Sequence, residues 1–164
     1  MVTQKDIDEF GDLWGLMYII FAKEMVKSFG EEGKKALIRA VKSYGKTRGK
    51  RLRKRHLEMG LPINMRSLFE VYDLPGTSGT RKERKVFTDN ELVSYTYACP
   101  YEKVWRDNDA VDLGLVYCEN FHHAFWQTYR QDLDVQIPEI LTKNDSDCLF
   151  LVKQPKEKLD CVSP

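Results

Sequence analysis

Apolar residues recur every three or four positions from Phe10 to Met25 (Phe10, Leu13, Trp14, Met17, Ile20, Phe21, Met25). That period predicts a helix laying a wide stripe on a core. Thr3 is placed to cap it, with Asp6 at the capping-box position and Gly30 as the stop after Phe29. A second helix is predicted from near Glu31 to about Met59, with Ala36, Leu37, Ala40, Val41, Tyr44 and Leu52 on its buried side and Gly60 and Pro62 ending it. From Ser67 the pattern changes. "SLFEVYDL" predicts a short strand and "PGTSGTRKER" an exposed loop. "KVFTDNELVSYTYACP" predicts a hairpin about Asp89 and Asn90, its second strand ended by Pro100. "YEKVWRD" predicts a short helix, residues 113–129 a longer one, and residues 135–141 a strand whose Pro138 suits a sheet edge. "KNDSD" is a turn and "CLFLV" a short, fully apolar strand. The order α-α-β-β-β-α-α-β-β predicts an α+β fold, an antiparallel sheet packed by helices. It is read as one domain over residues 1–152, with a polar, mobile tail at 153–164.

Composition narrows the function. The 164 residues are 42% hydrophobic and 31% charged, an ordinary globular balance, and the net charge of +1 argues against a nucleic-acid protein. The run "KTRGKRLRKRH" lies on the second helix and reads as a solvated face. Gly45 and Gly49 interrupt that helix at a cost of up to about 1 kcal/mol each relative to alanine, which predicts close approach of a backbone or a ligand. The N-terminus "MVTQKDIDEF" does not resemble a secretion signal, and the longest apolar run, Leu13 to Ala22, is about half of what a membrane span needs. Cys99, Cys118, Cys148 and Cys161 form no CxxC pair and are expected as reduced thiols. The expectation is a cytoplasmic protein acting on a small molecule, without nucleic acid, membrane or cofactor; a homodimer is left open.

"LGLVYCENFHHAFWQTY" carries the strongest local chemistry. Cys118 and His122 are four apart and share a helix face, and Glu119 pairs with His123 on the neighbouring stripe. An imidazole one turn from a thiol can lower its pKa below the ordinary value of about 8.5 and make it a nucleophile. The same two groups could be half of a zinc site, which would need Cys148, Cys99 or Glu139 brought in by the fold; with two ligands only, no metal is expected. The third reading is core packing, since the helix is rich in aromatic residues. Cys99, at a strand end, is either a cleft residue or a small buried hydrophobe.

"YACPYEKVW", "YCENFHHAF" and "KNDSDCLF", after the glycine-bearing basic helix "AVKSYGKTRGKRLRKR", resemble the L-2-amino-thiazoline-4-carboxylic acid hydrolase family over roughly residues 36–152. Cys99, Tyr117, Cys118, Asp145 and Cys148 fall on that pattern; His122 departs from it. The pattern is also similar to the 4-vinyl reductase type domain, which implies an α+β fold around a small-ligand pocket. The hydrolase resemblance implies cleavage of a C–N bond in an amidine-, carbamoyl- or thiazoline-like substrate. Cys118 would attack, His122 would act as base and then acid, and Glu119 would orient a histidine. Cys99 would line the opposite wall, Tyr117 and Trp105 would supply apolar contact, and Arg48 or Arg51 would pair with a substrate carboxylate. The alternative is a non-catalytic small-ligand-binding or sensor domain.

Overall fold

A computed structural model describes residues 1–155. Helix α1 (Gln4–Glu58) opens on the expected cap: the Thr3 side chain accepts from the Asp6 amide, and Asp6 reaches back to the Thr3 amide at 2.7 Å. It is two helical arms joined at Gly30, whose φ of 58° and ψ of −135° break the helix. This left-handed φ favours glycine, and it reverses the chain. Trp14 and Tyr44, thirty residues apart, bring their ring centroids within 6.1 Å, and a Cβ on Gly33 would meet the Met25 carbonyl at 2.3 Å. The arms therefore form an antiparallel hairpin.

Helix α2 (Met65–Glu70) stands where "SLFEVYDL" predicted a strand. Asn64 caps it by accepting the Ser67 amide at 2.9 Å, and Met65, Leu68 and Phe69 turn one face inward at helical spacing. Strand β1 (Arg81–Phe87) begins inside the expected exposed loop and pairs with β2 (Glu91–Ala98) as the predicted hairpin. Its charges suit its position, since β1 is a sheet edge. Helices α3 (Pro100–Asp107) and α4 (Val111–Tyr129) follow, then β3 (Asp134–Glu139), a 3-10 turn at Leu141–Lys143 and β4 (Cys148–Lys153). The sheet is antiparallel in the order β1-β2-β4-β3, so Pro138 does lie on an edge.

Helix α4 runs between the α1 hairpin and the sheet. On one side Gly45 and Gly49 let α1 touch it backbone to backbone: a Cβ on Gly45 would lie 2.9 Å from the Phe121 carbonyl, and one on Gly49 2.5 Å from that of Phe125. The close approach expected of these glycines is thus to a backbone. On the other side the ring of Phe150 in β4 lies 5.1 Å from His122 and 5.5 Å from Trp126. The basic run is only partly a solvated face, because Arg48, Leu52 and His56 are buried; His56 bridges the Tyr129 hydroxyl and the Val71 carbonyl, both at 2.8 Å.

The first arm departs most from its expected orientation. Phe10, Leu13, Met17, Ile20 and Phe21 are exposed, while Gly11, Gly15, Ile19 and Ala22 face inward. The small residues win the inner side because α3 packs there: a Cβ on Gly15 would already touch Tyr101 and Val104 at 3.4 and 3.5 Å. Of the tail, residues 156–164, including Cys161, lie outside the described part.

Candidate functional site

A cavity of about 480 Å³ opens between the α1 hairpin, α4 and the inner face of the sheet. The sheet supplies two cross-strand rows, because alternate side chains point to the same face. Lys82, Thr96 and Cys148 sit opposite one another across β1, β2 and β4, as do Arg84, Ser94 and Phe150, and all six line the cavity. Tyr117, Cys118, Phe121, His122 and Trp126 of α4 form the wall facing them. Cys99, Tyr101 and Trp105 close one end, and Trp14, Tyr44 and Arg48 of α1 close another. Trp105 is packed among Tyr18, Tyr101 and Tyr117, and its ring fills the space that glycine leaves at Gly114.

The electrostatics are one-sided. No carboxylate lines the cavity among the described residues, whereas Arg48, Lys82 and Arg84 do. Arg48 is already committed: it donates through Nε to Asp73 at 2.9 Å and lies 5.0 to 5.6 Å from the centroids of Phe125, Phe121, Tyr44 and Tyr72. Burial opposes its charge, but the bond to Asp73 and the neighbouring tyrosines hold its pKa up. Among the described residues neither Lys82 nor Arg84 has a carboxylate partner, although Arg84 donates to the Phe69 carbonyl at 3.2 Å and lies 4.3 Å from the Phe87 ring centroid. Burial, then the neighbouring Arg84, lowers the Lys82 pKa, so an arriving anion relieves both.

Burial also governs the titratable wall. His122 is held neutral, its pKa lowered to about 3 by burial, then by His123 and Arg48, and its Nδ1 is buried without a hydrogen-bond partner. The Cys118 thiol is pushed up, chiefly by burial and next by the Cys99 thiol, with the Thr142 hydroxyl pulling slightly the other way. This reverses the expected lowering of Cys118: an imidazole that stays neutral cannot stabilise a thiolate by its charge. Cys148 is raised to about 11 by burial, offset in part by the Leu141 amide, 3.3 Å from its sulfur. Cys99 is raised by burial too, but the amides of Glu102 and Tyr101 at the start of α3 draw it back.

The acid stability of the fold follows from His122. Its folded pKa lies below its unfolded value, so the unfolded chain binds the extra proton and stability falls as pH drops through about 6.5 toward 3. By pH 5 the loss is expected to be about 2 kcal/mol, and His122→Asn should remove this part of the pH slope in urea unfolding. An unchanged slope would show that His122 titrates normally.

The family model described as L-2-amino-thiazoline-4-carboxylic acid hydrolase matches residues 14–152. The chain belongs to this family. No curated protein and no solved structure matches it. Within the family match, the structure brings Cys118, His122, Cys99, Tyr117, Trp105 and Arg48 to one cavity, together with Cys148. Two expected residues are elsewhere. Glu119 is on the outer side of α4, paired with Lys143 at 2.7 Å, and Arg51 is exposed on α1. Asp145 serves the turn before β4, accepting the Ile140 amide at 2.7 Å. Lys82 and Arg84 were missed because five charged residues run unbroken from Arg81 to Lys85 and read as a loop, and their inward row appears only in the sheet register. Among the described residues no group of three or more His, Cys, Asp or Glu is arranged to hold a metal ion, and no helix is long and apolar enough to cross a membrane.

Proposed function

We propose that the cavity hydrolyses a C–N bond in a small carboxylate bearing an amidine, carbamoyl or thiazoline carbon. The observation that carries this reading is a cavity lined by thiols and a neutral imidazole, with two cations, Lys82 and Arg84, outside any ion pair and no carboxylate among the described residues. The family's name describes chemistry on a substrate of this kind. Lys82 and Arg84 hold the substrate carboxylate, in place of the committed Arg48 and the exposed Arg51. Cys99 is favoured over Cys118 as the attacking thiol. Both are partly buried, but Cys99 stands at the N-cap of α3, where the positive end of the helix favours a developing negative charge, whereas Cys118 lies mid-helix.

Cys99 Sγ bonds to the electrophilic carbon while the carbon's π electrons move to its heteroatom, and neutral His122 relays the thiol proton to that heteroatom, accepting on one ring nitrogen as it donates from the other. Collapse breaks the C–N bond, and His122 relays the heteroatom's proton to the leaving nitrogen. Water then adds to the thio-intermediate, and His122 relays its proton to the same heteroatom. The C–S bond breaks and the proton returns to Cys99. One water is consumed and the thiol is restored. Tyr117 and Trp105 supply the apolar wall that excludes bulk water.

The test is turnover of small amidine, carbamoyl and thiazoline carboxylates, with mass mapping of cysteine adducts under substrate. Turnover with a transient adduct on Cys99 supports the reading; ligands that bind and stabilise the protein without ever turning over would replace it with a sensor. Lys82→Ala should raise KM for the carboxylate substrate about 10- to 100-fold, the worth of one charge-assisted hydrogen bond, with little change in kcat. Equal KM values in the two proteins would remove Lys82 from the anion site.

A further inference from the structure

The exposed face of the first α1 arm is not a solvent face by composition. Phe10 is 65% exposed, Leu13 65%, Met17 49%, Ile20 52% and Phe21 64%. They recur at helical spacing, so they form one stripe, while the opposite side of the same arm is buried against α3. We propose that this stripe binds the same stripe of a second copy of the chain, antiparallel about a two-fold axis near Met17, and that the second copy covers the mouth of the cavity. The assignment is independent of the chemistry proposed for the cavity.

Size, charge and geometry each support a second copy. The stripe exposes roughly 600 Å² of apolar side chain per chain, so self-pairing buries roughly 1,200 Å², where specific interfaces begin. A patch of this size is at the upper end of what a monomer leaves bare, and such patches are often interaction sites. Residues 4–12 carry Asp6, Asp8, Glu9 and Asp12 against Lys5, a net charge of −3, whereas residues 22–35 carry Lys23, Lys27, Lys34 and Lys35 against Glu24, Glu31 and Glu32, a net charge of +1. Antiparallel pairing sets the acidic end of each arm beside the basic end of the other; parallel pairing would oppose like charges. The same acids disfavour an anionic bilayer, whose interfacial helices are basic on their polar side. Pairing through the sheet is blocked at both edges, by the charges of β1 and by Pro138 of β3. Phe10 and Ile7 belong to the arm and also line the cavity, so whatever covers the stripe also covers that opening.

Sedimentation equilibrium of the full chain should give twice the chain mass, and Leu13→Glu and Ile20→Lys should each give the single-chain mass with unchanged circular dichroism. Both positions are exposed, so neither change disturbs the core. Met17→Cys should form an intermolecular disulfide on mild oxidation, since a residue on a two-fold axis meets itself. In the dimer, iodoacetamide should modify Cys99 at least about tenfold more slowly than in Ile20→Lys. A monomer for the unaltered chain at tens of micromolar overturns the proposal, as does a dimer indifferent to both substitutions. Co-sedimentation with phosphatidylcholine–phosphatidylglycerol vesicles in place of self-association assigns the stripe to a membrane surface and overturns it equally.

Discussion

Cys99→Ala is expected to lower kcat by at least about a thousandfold, because removing an attacking thiol leaves only binding and electrostatic assistance. Cys118→Ala and Cys148→Ala are expected to cost less than about tenfold each. The contrast rests on position. All three thiols line the same cavity, and burial raises the pKa of all three. Cys99 is the N-cap of α3, at the positive end of that helix, although its side chain makes no capping hydrogen bond, whereas Cys118 lies mid-helix on α4. Initial rates on purified variants, with circular dichroism to confirm folding, decide the matter. If Cys118→Ala is the inactive protein and Cys99→Ala retains activity, the attacking group is Cys118. A pH profile adds a second readout. With His122 neutral above about 3, kcat/KM should show no acid limb near 6.5, where a thiolate–imidazolium pair would place one.

Gly49→Ala is expected to destabilise the protein although alanine is the better helix former. Intrinsic propensity favours the substitution by about 1 kcal/mol. The new methyl, however, would lie 2.5 Å from the Phe125 carbonyl oxygen, 3.0 Å from Thr128 Cβ and 3.1 Å from the Tyr129 amide. Two of these neighbours are backbone, so the helices must separate, and overpacking of this kind costs typically about 1 to 3 kcal/mol. With Gly45→Ala added, whose methyl would meet the Phe121 carbonyl at 2.9 Å, we expect about 2 kcal/mol net, a fall in Tm of roughly 6 °C. Gly76→Ala, with nothing within 4 Å, is the control and should leave Tm unchanged. A double variant as stable as the control would mean that α1 and α4 are not in backbone contact.

The elements whose determinants are local were legible in the sequence. The Thr3 cap, the Gly30 stop, the hairpin at Asp89, the Pro100 strand end and the Pro138 edge each follow from one residue's stereochemistry. Helix α2 was not, because "SLFEVYDL" was read without its cap; Asn64 stands three residues before Ser67. The orientation of the first arm was not legible either. Two apolar faces compete there, and α3 selects the one bearing glycines, a choice made by packing rather than by period. Cys99, Cys118, His122, Tyr117, Trp105 and Arg48 were expected around one pocket and do line one cavity. Their protonation was misjudged because helical spacing states who is near whom and says nothing of burial, the largest influence on Cys118 and His122 alike. Lys82 escaped because its place beside Thr96 and Cys148 exists only in the sheet register.

The contact between α1 and α4 also sets a timetable. The bond from Arg53 to the Tyr129 carbonyl spans 76 residues, and the glycine contacts join equally distant parts of the chain. During synthesis the α1 hairpin is complete long before α4 emerges, and until then its glycine face has no partner. Closing so long a loop is entropically costly, so docking of α4 is expected as the slow phase in stopped-flow refolding. Until α4 docks, the half-made chain therefore bares the glycine face and the apolar stripe together, the exposure that makes folding intermediates prone to association.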